Sequence, residues 1–163
     1  VAEYELTLAI GLQLRDELQN RGYTVVMTRE SNEVNLSNKE RADIATEAGA
    51  DLTIRIHADG VDNSSVSGAS VLSPTTSNPY IADLAGASWQ CILNAYCEAT
   101  GMKNRGVTGN DTMTGINWST NPVALIELGF MTNATDDANM QDATYQERMV
   151  YGIANGVDVY LQK

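Results

Sequence analysis

The run Val123-Ala124-Leu125-Ile126-Glu127-Leu128 constrains the fold of this chain more than any other stretch. It is the most apolar strand candidate in the sequence, and its apolar residues do not alternate with polar ones. A strand of that kind is buried on both faces, as in parallel sheets covered by helices. Glu127 alone breaks the run. A carboxylate inside a doubly buried strand is costly unless it is paired, bound to metal or protonated. At the strand's end, or facing outward, it costs little. The sequence leaves both readings open.

The rest of the chain alternates helical and strand patterns. Leu6, Ile10, Leu14 and Leu18 recur every fourth residue and predict a helix stopped at Gly22. Tyr23 to Arg29 is β-branched and apolar and predicts a buried strand. Ser37-Asn38-Lys39-Glu40 has the form of a capping box, opening a helix that closes at Gly49. Leu52 to His57 and Gly68 to Leu72 read as two further strands. Pro79 begins a long helix with Ile81, Leu84, Ala85, Ser88, Ile92, Tyr96 and Ala99 on one face, ending at Gly101. Residues 102–121 are rich in Gly, Asn, Asp and Thr and read as an irregular surface segment. A turn over residues 129–133, a short helical piece near Asp136 to Gln141 and a last helix carrying Tyr145, Met149, Ile153, Val157, Tyr160 and Leu161 complete the chain. The expected architecture is one α/β domain over residues 1–163, with a mostly parallel, mixed sheet flanked by helices on both faces. Such folds place their sites beyond the carboxyl ends of the strands.

Charge narrows the function classes. Ten Lys and Arg stand against twenty-one Asp and Glu, a formal net charge of −11. Nucleic acid and anionic membranes reward the opposite balance, so neither is expected as a partner. No apolar run approaches the ~20 residues that cross a membrane, and no signal-peptide pattern is present. Cys91 and Cys97 fall within the long helical pattern. Six helical residues rise ~9 Å and turn the side chains apart, so a disulfide is not expected and both read as apolar filler.

Three residues carry possible chemistry. His57 is the only histidine. It ends the apolar alternation of Leu52, Ile54 and Ile56, and a loop of Gly, Asp, Asn and Ser follows. It is either a packed imidazole or a ligand at a strand's end. Glu127 would share a rim with it if the two strands end together. Glu3 falls in the first turn of the first helix, where it either answers the helix dipole or joins the same rim. Two carboxylates and an imidazole can begin a zinc site, although a catalytic zinc usually takes three protein ligands and a water. A glutamate beside a metal suits proton transfer.

With those residues in place, the chain resembles the zinc-dependent N-acetylmuramoyl-L-alanine amidase catalytic domain, the Amidase_3 type of cell-wall hydrolase. Glu3-Tyr4-Glu5-Leu6-Thr7-Leu8-Ala9-Ile10 resembles the segment whose leading Glu binds zinc. Gly22 to Arg29 is similar to the family's G-x-x-V-x-x-T-R strand, and Leu36 to Ala42 to its L-x-x-R helix start. Ile56-His57-Ala58-Asp59 is similar to the S-I-H-A-N/D motif, whose His is a zinc ligand. Asn121 to Asn133 is similar to the P-x-x-L-x-E-x-G-F-x-x-N block that carries the catalytic glutamate.

The resemblance implies zinc as cofactor, Glu3 and His57 as metal ligands, and Glu127 as the catalytic acid and base. It implies hydrolysis of the amide between N-acetylmuramic acid and L-alanine, with peptidoglycan or muropeptides as partner. It also implies secretion to the cell wall or periplasm, and a monomer. The chain departs from the pattern twice. Arg55 stands where the family commonly has Ser. The family's first ligand is a histidine in a loop after its first strand, a segment that would precede Val1, and Asp59 is a conceivable substitute. The domain is therefore expected to be N-terminally incomplete. Two other readings follow: an amidase-like module that binds muropeptide without cleaving it, and a zinc peptidase of related architecture.

Overall fold

Helix α1, Glu3–Asn20, forms where the four-residue repeat predicts it and buries Leu6, Ile10, Leu14 and Leu18. Its first turn is closed by the Glu5 carboxylate, which accepts the Ala2 N–H at 3.1 Å. It stops where Gly22 adopts φ +92°, a conformation that L side chains rarely take. Helix α2, Asn38–Ala48, opens on the predicted capping box. Ser37 Oγ accepts the Glu40 N–H at 3.1 Å, and Glu40 Oε1 accepts the Ser37 N–H at 3.3 Å. The helix ends on Gly49 in the left-handed region. These facts come from a computed structural model that describes residues 2–33, 36–58, 60–73, 87–109 and 122–162.

The remaining elements are β1 (Thr53–His57), β2 (Ala69–Ser73), α3 (Ala87–Thr100), β3 (Asn104–Gly109), β4 (Val123–Glu127), α4 (Ala134–Gln141) and α5 (Ala143–Leu161). The strands form one sheet in the order β1-β4-β2-β3. β4 runs parallel to β1 and antiparallel to β2, while β2 and β3 are parallel. The sheet is thus mixed, as expected. Val123 to Ile126 are at most 1% exposed, so the most apolar strand in the sequence is also the buried centre of the sheet.

Side-chain alternation divides the sheet. Ala124, Ile126 and Val71 belong to a core completed by Leu6 and Ile10 of α1, Ile92 and Tyr96 of α3, and Met149 and Ile153 of α5. Helices α3 and α5 approach closely because α5 presents glycines at the contact. A Cβ on Gly156 would lie 2.4 Å from Ile92 Cα, and one on Gly152 would lie 2.8 Å from Tyr96 Cα. Cys91 and Cys97 both lie on α3, as the helical spacing predicts. The predicted start of this helix, with Pro79, Ile81, Leu84 and Ala85, lies outside the described residues.

Two expectations are corrected. Tyr23 to Arg29 is not a strand. Its burial alternates as a strand's would, with Tyr23, Val25 and Met27 half-buried and Thr24 and Val26 exposed. Pairing is what it lacks. A cavity of about 1010 Å³ is lined on one side by Val25 and Met27 and on the other by Ile54 and Ile56 of β1. A ladder needs a neighbour ~4.8 Å away, and this space separates the segment from the sheet.

The stretch 102–121 is not wholly irregular, because Asn104–Gly109 forms β3. β3 is an edge strand in which Val107, set opposite Val71, is the one apolar residue. Polar composition is common at sheet edges, and here it hid the strand. Residues 110–121 lie outside the described set.

Candidate active site

β1 and β4 are in register, so His57 and Glu127 are paired neighbours at the carboxyl ends of two parallel strands. The ladder continues one step further, with Leu128 N–H donating to the His57 carbonyl at 2.8 Å. Residues paired across a parallel ladder share a face, so the imidazole and the carboxylate leave the sheet on the same side. Of the two readings open for Glu127, the strand-end one holds: its side chain is half-buried, unlike the residues before it.

Helix α1 delivers the third residue. Glu3 Oε1 lies 3.4 Å from His57 Nδ1, with side-chain exposures of 37% and 26%. The same oxygen accepts the Ala58 N–H at 3.2 Å, which fixes the carboxylate at the end of β1. The separation suits a shared metal. Two donors each about 2.0–2.1 Å from one tetrahedral zinc stand about 3.3–3.4 Å apart, and imidazole with carboxylate is an ordinary zinc donor pair. Among the described residues no group of three His, Cys, Asp or Glu side chains converges to hold a metal. Asp59 lies outside the described residues.

The loops around the site are tied to one another. Asp136 is 3% exposed. Its Oδ2 accepts the N–H groups of Gly68 and Phe130, both at 3.0 Å, and its Oδ1 accepts the Ser67 hydroxyl at 3.0 Å. Tyr96, fully buried on α3, donates its hydroxyl to the Leu128 carbonyl at 2.8 Å. Burial pushes the Tyr96 hydroxyl well above its usual pKa, so it remains a donor. Thr132 Oγ1 accepts the Val61 N–H at 3.1 Å, and the Asn133 side-chain amide donates to the Ser64 carbonyl at 3.0 Å. The chain after β1 is therefore bound to the chain after β4.

Sequence reasoning missed Asp136 and Tyr96 in these roles, placing one in a short helix and the other on an apolar face. One usable signal was the cap pattern, since the Asn133 side chain accepts the Thr135 and Asp136 N–H groups and turns Asp136 inward.

Four arginines line the same cavity as Glu3 and His57: Arg15, Arg29, Arg41 and Arg55. Arg55 lies two residues before His57 on the same face of β1. Burial, and after it the charge of Arg41, lowers the pKa of both Arg29 and Arg55.

The family model described as N-acetylmuramoyl-L-alanine amidase, Amidase_3, matches residues 1–159. N-acetylmuramoyl-L-alanine amidase LytC of Bacillus subtilis is 31% identical over 158 residues, which are 97% of this chain and 31% of LytC. The chain thus spans under a third of that relative's length. The catalytic domain of CwlV, an N-acetylmuramoyl-L-alanine amidase from Bacillus (Paenibacillus) polymyxa, superposes with a TM-score of 0.84 at 27% identity, covering 98% of this chain and 85% of that one. N-acetylmuramoyl-L-alanine amidase AmiC2 of Nostoc punctiforme gives a TM-score of 0.84 at 29% identity, over 99% of this chain and 85% of that one. The paired strand ends bearing His57 and Glu127 thus lie in a fold shared with solved amidases, and the chain belongs to the Amidase_3 family of N-acetylmuramoyl-L-alanine amidases.

Proposed function

We propose that this chain is the catalytic part of a zinc-dependent hydrolase that cleaves the amide between N-acetylmuramic acid and L-alanine in peptidoglycan. The observation that carries the reading is the meeting of Glu3, His57 and Glu127 at the joined ends of β1 and β4. Glu3 and His57 would hold the metal, with a histidine from a segment preceding Val1 as third ligand, as the family resemblance implies. A bound zinc supplies Lewis-acid polarisation of the carbonyl and lowers the pKa of a water.

The rest of the chemistry belongs to Glu127. Its half-buried carboxylate takes the proton of the attacking water and passes it to the leaving alanine nitrogen. The hydrogen bonds of Asp136, Tyr96 and Ala58 hold these groups so that little rearrangement is needed. Peptidoglycan lies outside the cell membrane, so the site of action is the cell wall or periplasm. No helix among the described residues is long and apolar enough to cross a membrane.

Glu127→Gln tests the reading. The substitution keeps size and hydrogen bonding but removes the base. Release of new amino groups from purified peptidoglycan is expected to fall about 10²–10⁴-fold, with zinc content by elemental analysis unchanged. Wild-type turnover in the variant would reject the assignment.

A second reading is favoured by the two metal donors, rather than three, that converge among the described residues. In that reading the chain binds muropeptide without cutting it. Binding with no amine release from the unsubstituted protein, zinc supplied, would favour it.

A further inference from the structure

We propose that Arg105 is an anion-binding subsite for the peptide side of the substrate, taking a carboxylate at the third residue beyond the amide to be cut. The inference rests on the amidase reading and adds to it a determinant of which peptides are bound well.

The first observation is the order of residues along the end of the sheet. His57 is paired with Glu127 across β1 and β4, and Glu127 is paired with Ser70 across β4 and β2. Directly opposed residues share a face, so imidazole, carboxylate and hydroxyl form one row. On its far side Ser70 meets an irregular step. Ala69 pairs with Asn104 and Val71 with Val107, so β3 holds an extra residue there, at Arg105–Gly106. Gly106 takes φ +90°, and the Asn104 side chain accepts its N–H at 2.9 Å. A bulge of this kind re-aims the side chain it carries, and bulges are common beside active sites.

The second observation is how Arg105 is held. Its stem passes over Gly68, where a Cβ would lie 3.1 Å from Arg105 Cγ and 2.6 Å from the Lys103 carbonyl oxygen. Its guanidinium lies over the ring of Phe130, three residues after Glu127, at 5.4 Å from the centroid. Both supports hang on one atom, because Asp136 Oδ2 accepts the N–H groups of Gly68 and Phe130, each at 3.0 Å. An exposed arginine ordinarily samples many rotamers, whereas this one is laid across a fixed glycine and a fixed ring. No acid answers its charge: Arg105 makes no ion pair with any described residue. The Asp136 carboxylate beneath its supports is buried and already accepts from Ser67, Gly68 and Phe130. A ring does not neutralise a guanidinium, and the N–H fork of a guanidinium matches a carboxylate.

The third observation is distance. Neighbouring strands lie about 4.8 Å apart, so Arg105 on β3 stands two strands, or about 10 Å, from Glu127 on β4. An extended peptide advances about 3.3 Å per residue. A substrate whose scissile amide lies at Glu127, and whose peptide runs along the strand ends toward β3, brings the carboxyl group of its third residue to Arg105. The anions such a peptide carries are carboxylates, which selects this chemistry over phosphate.

The test uses N-acetylmuramoyl-trialanine, whose one free carboxylate is that of the third residue, and the same molecule ending in a primary amide. Binding is measured by calorimetry on the Glu127→Gln protein, which turns both over too slowly to consume them. The acid is expected to bind about tenfold more tightly than the amide. Arg105→Gln, added to that protein, is expected to bring the two affinities within about twofold of each other. A ratio of affinities does not change when part of a sample is unfolded. Equal affinity for the two molecules on the Glu127→Gln protein overturns the subsite, and that comparison needs no change at Arg105. A preference that survives Arg105→Gln overturns it too. In either case, cleavage of both molecules by the unsubstituted enzyme upholds the amidase reading. Failure to bind or cleave either molecule rejects both.

Discussion

The two flanks of the sheet are packed in opposite ways. On the α3–α5 flank the helix backbones touch through Gly152 and Gly156, and Tyr96, Ile92, Met149 and Ile153 are all fully buried. On the flank of α1, α2 and β1 the sheet edge faces about 1010 Å³ of open space, and Tyr23, Val25 and Met27 reach the core only as half-buried neighbours. The candidate site straddles the boundary. Glu127 stands on the tight side, next to the Leu128 carbonyl held by Tyr96 and the turn held by Asp136. His57 stands on the strand that borders the cavity. Glu127 therefore lies beside the hydrogen-bonded turn after β4, while His57 lies on the strand that borders the open cavity. Sites carry high precision where packing and hydrogen bonds lock them, and local opening is cheapest where buried contacts are few.

The sharpest way to break this comparison is to weaken the tight side. Asp136→Ala removes the acceptor of two backbone N–H groups and a hydroxyl in a buried setting. Each stranded donor costs about 1–3 kcal/mol, so a loss of about 3–5 kcal/mol is expected in chemical denaturation. A loss under about 1 kcal/mol would show that the turn after β4 is held by something else. The next largest effect belongs to the helix contact. Gly156→Val places a branched side chain against the Ile92 backbone, where even a Cβ would lie 2.4 Å from Cα. Backbone atoms cannot yield as a flexible side chain can, and overpacking of this kind costs about 3 kcal/mol. An unfolding midpoint equal to the parent's would mean that α3 and α5 separate freely.

The same contrast explains what could be read from the sequence. Helices α1 and α2 were legible because their signals are local: a four-residue repeat of Leu and Ile, a Ser37–Glu40 capping box and a closing glycine. β4 was legible because a run of apolar residues has few other uses, and Glu127 stood out against it. His57 stood out because it is the only histidine and ends an alternating strand. The failures are non-local. Whether Tyr23 to Arg29 pairs depends on what lies beside it, and its own residues cannot report that. β3 is stabilised by β2 and not by its own composition. The arginines at 29, 41 and 55 are far apart in the chain and meet only through the fold. Asp136 reads in the sequence only as part of a short helical piece, because its three donors come from residues outside that piece.

The comparison can also be sharpened with one residue type on both flanks. Met149 is fully buried beneath α3, while Met27 is half-buried at the cavity, where its Cε lies 3.7 Å from the position of a Cβ on Gly11. Truncating a buried methionine leaves a void that close-packed neighbours cannot fill, whereas a side chain bordering open space has less to lose. Met149→Ala is expected to cost about 2 kcal/mol more than Met27→Ala by denaturant titration. Equal costs would mean that the cavity side is as well packed as the other.

The smallest effect is the one that joins the flanks. The Tyr23 hydroxyl donates to Asp158 Oδ1 at 2.7 Å, and Arg21 donates to Asp158 Oδ2 at 2.8 Å, fastening the segment after α1 to the end of α5. Burial, and after it the hydrogen bond to Asp158, pushes the Tyr23 pKa up to about 12 from an ordinary 10.0. Below the unfolded value both states hold the proton and the stabilisation is complete. Above it the unfolded chain releases the proton while the folded one retains it, so stability drains away as pH rises toward the folded value. Tyr23→Phe should therefore cost about 1 kcal/mol at neutral pH, and the cost should shrink between about pH 10 and 12. A difference between the two proteins that stays constant across that window would show that the Tyr23–Asp158 bond does not hold the slack flank to the packed one.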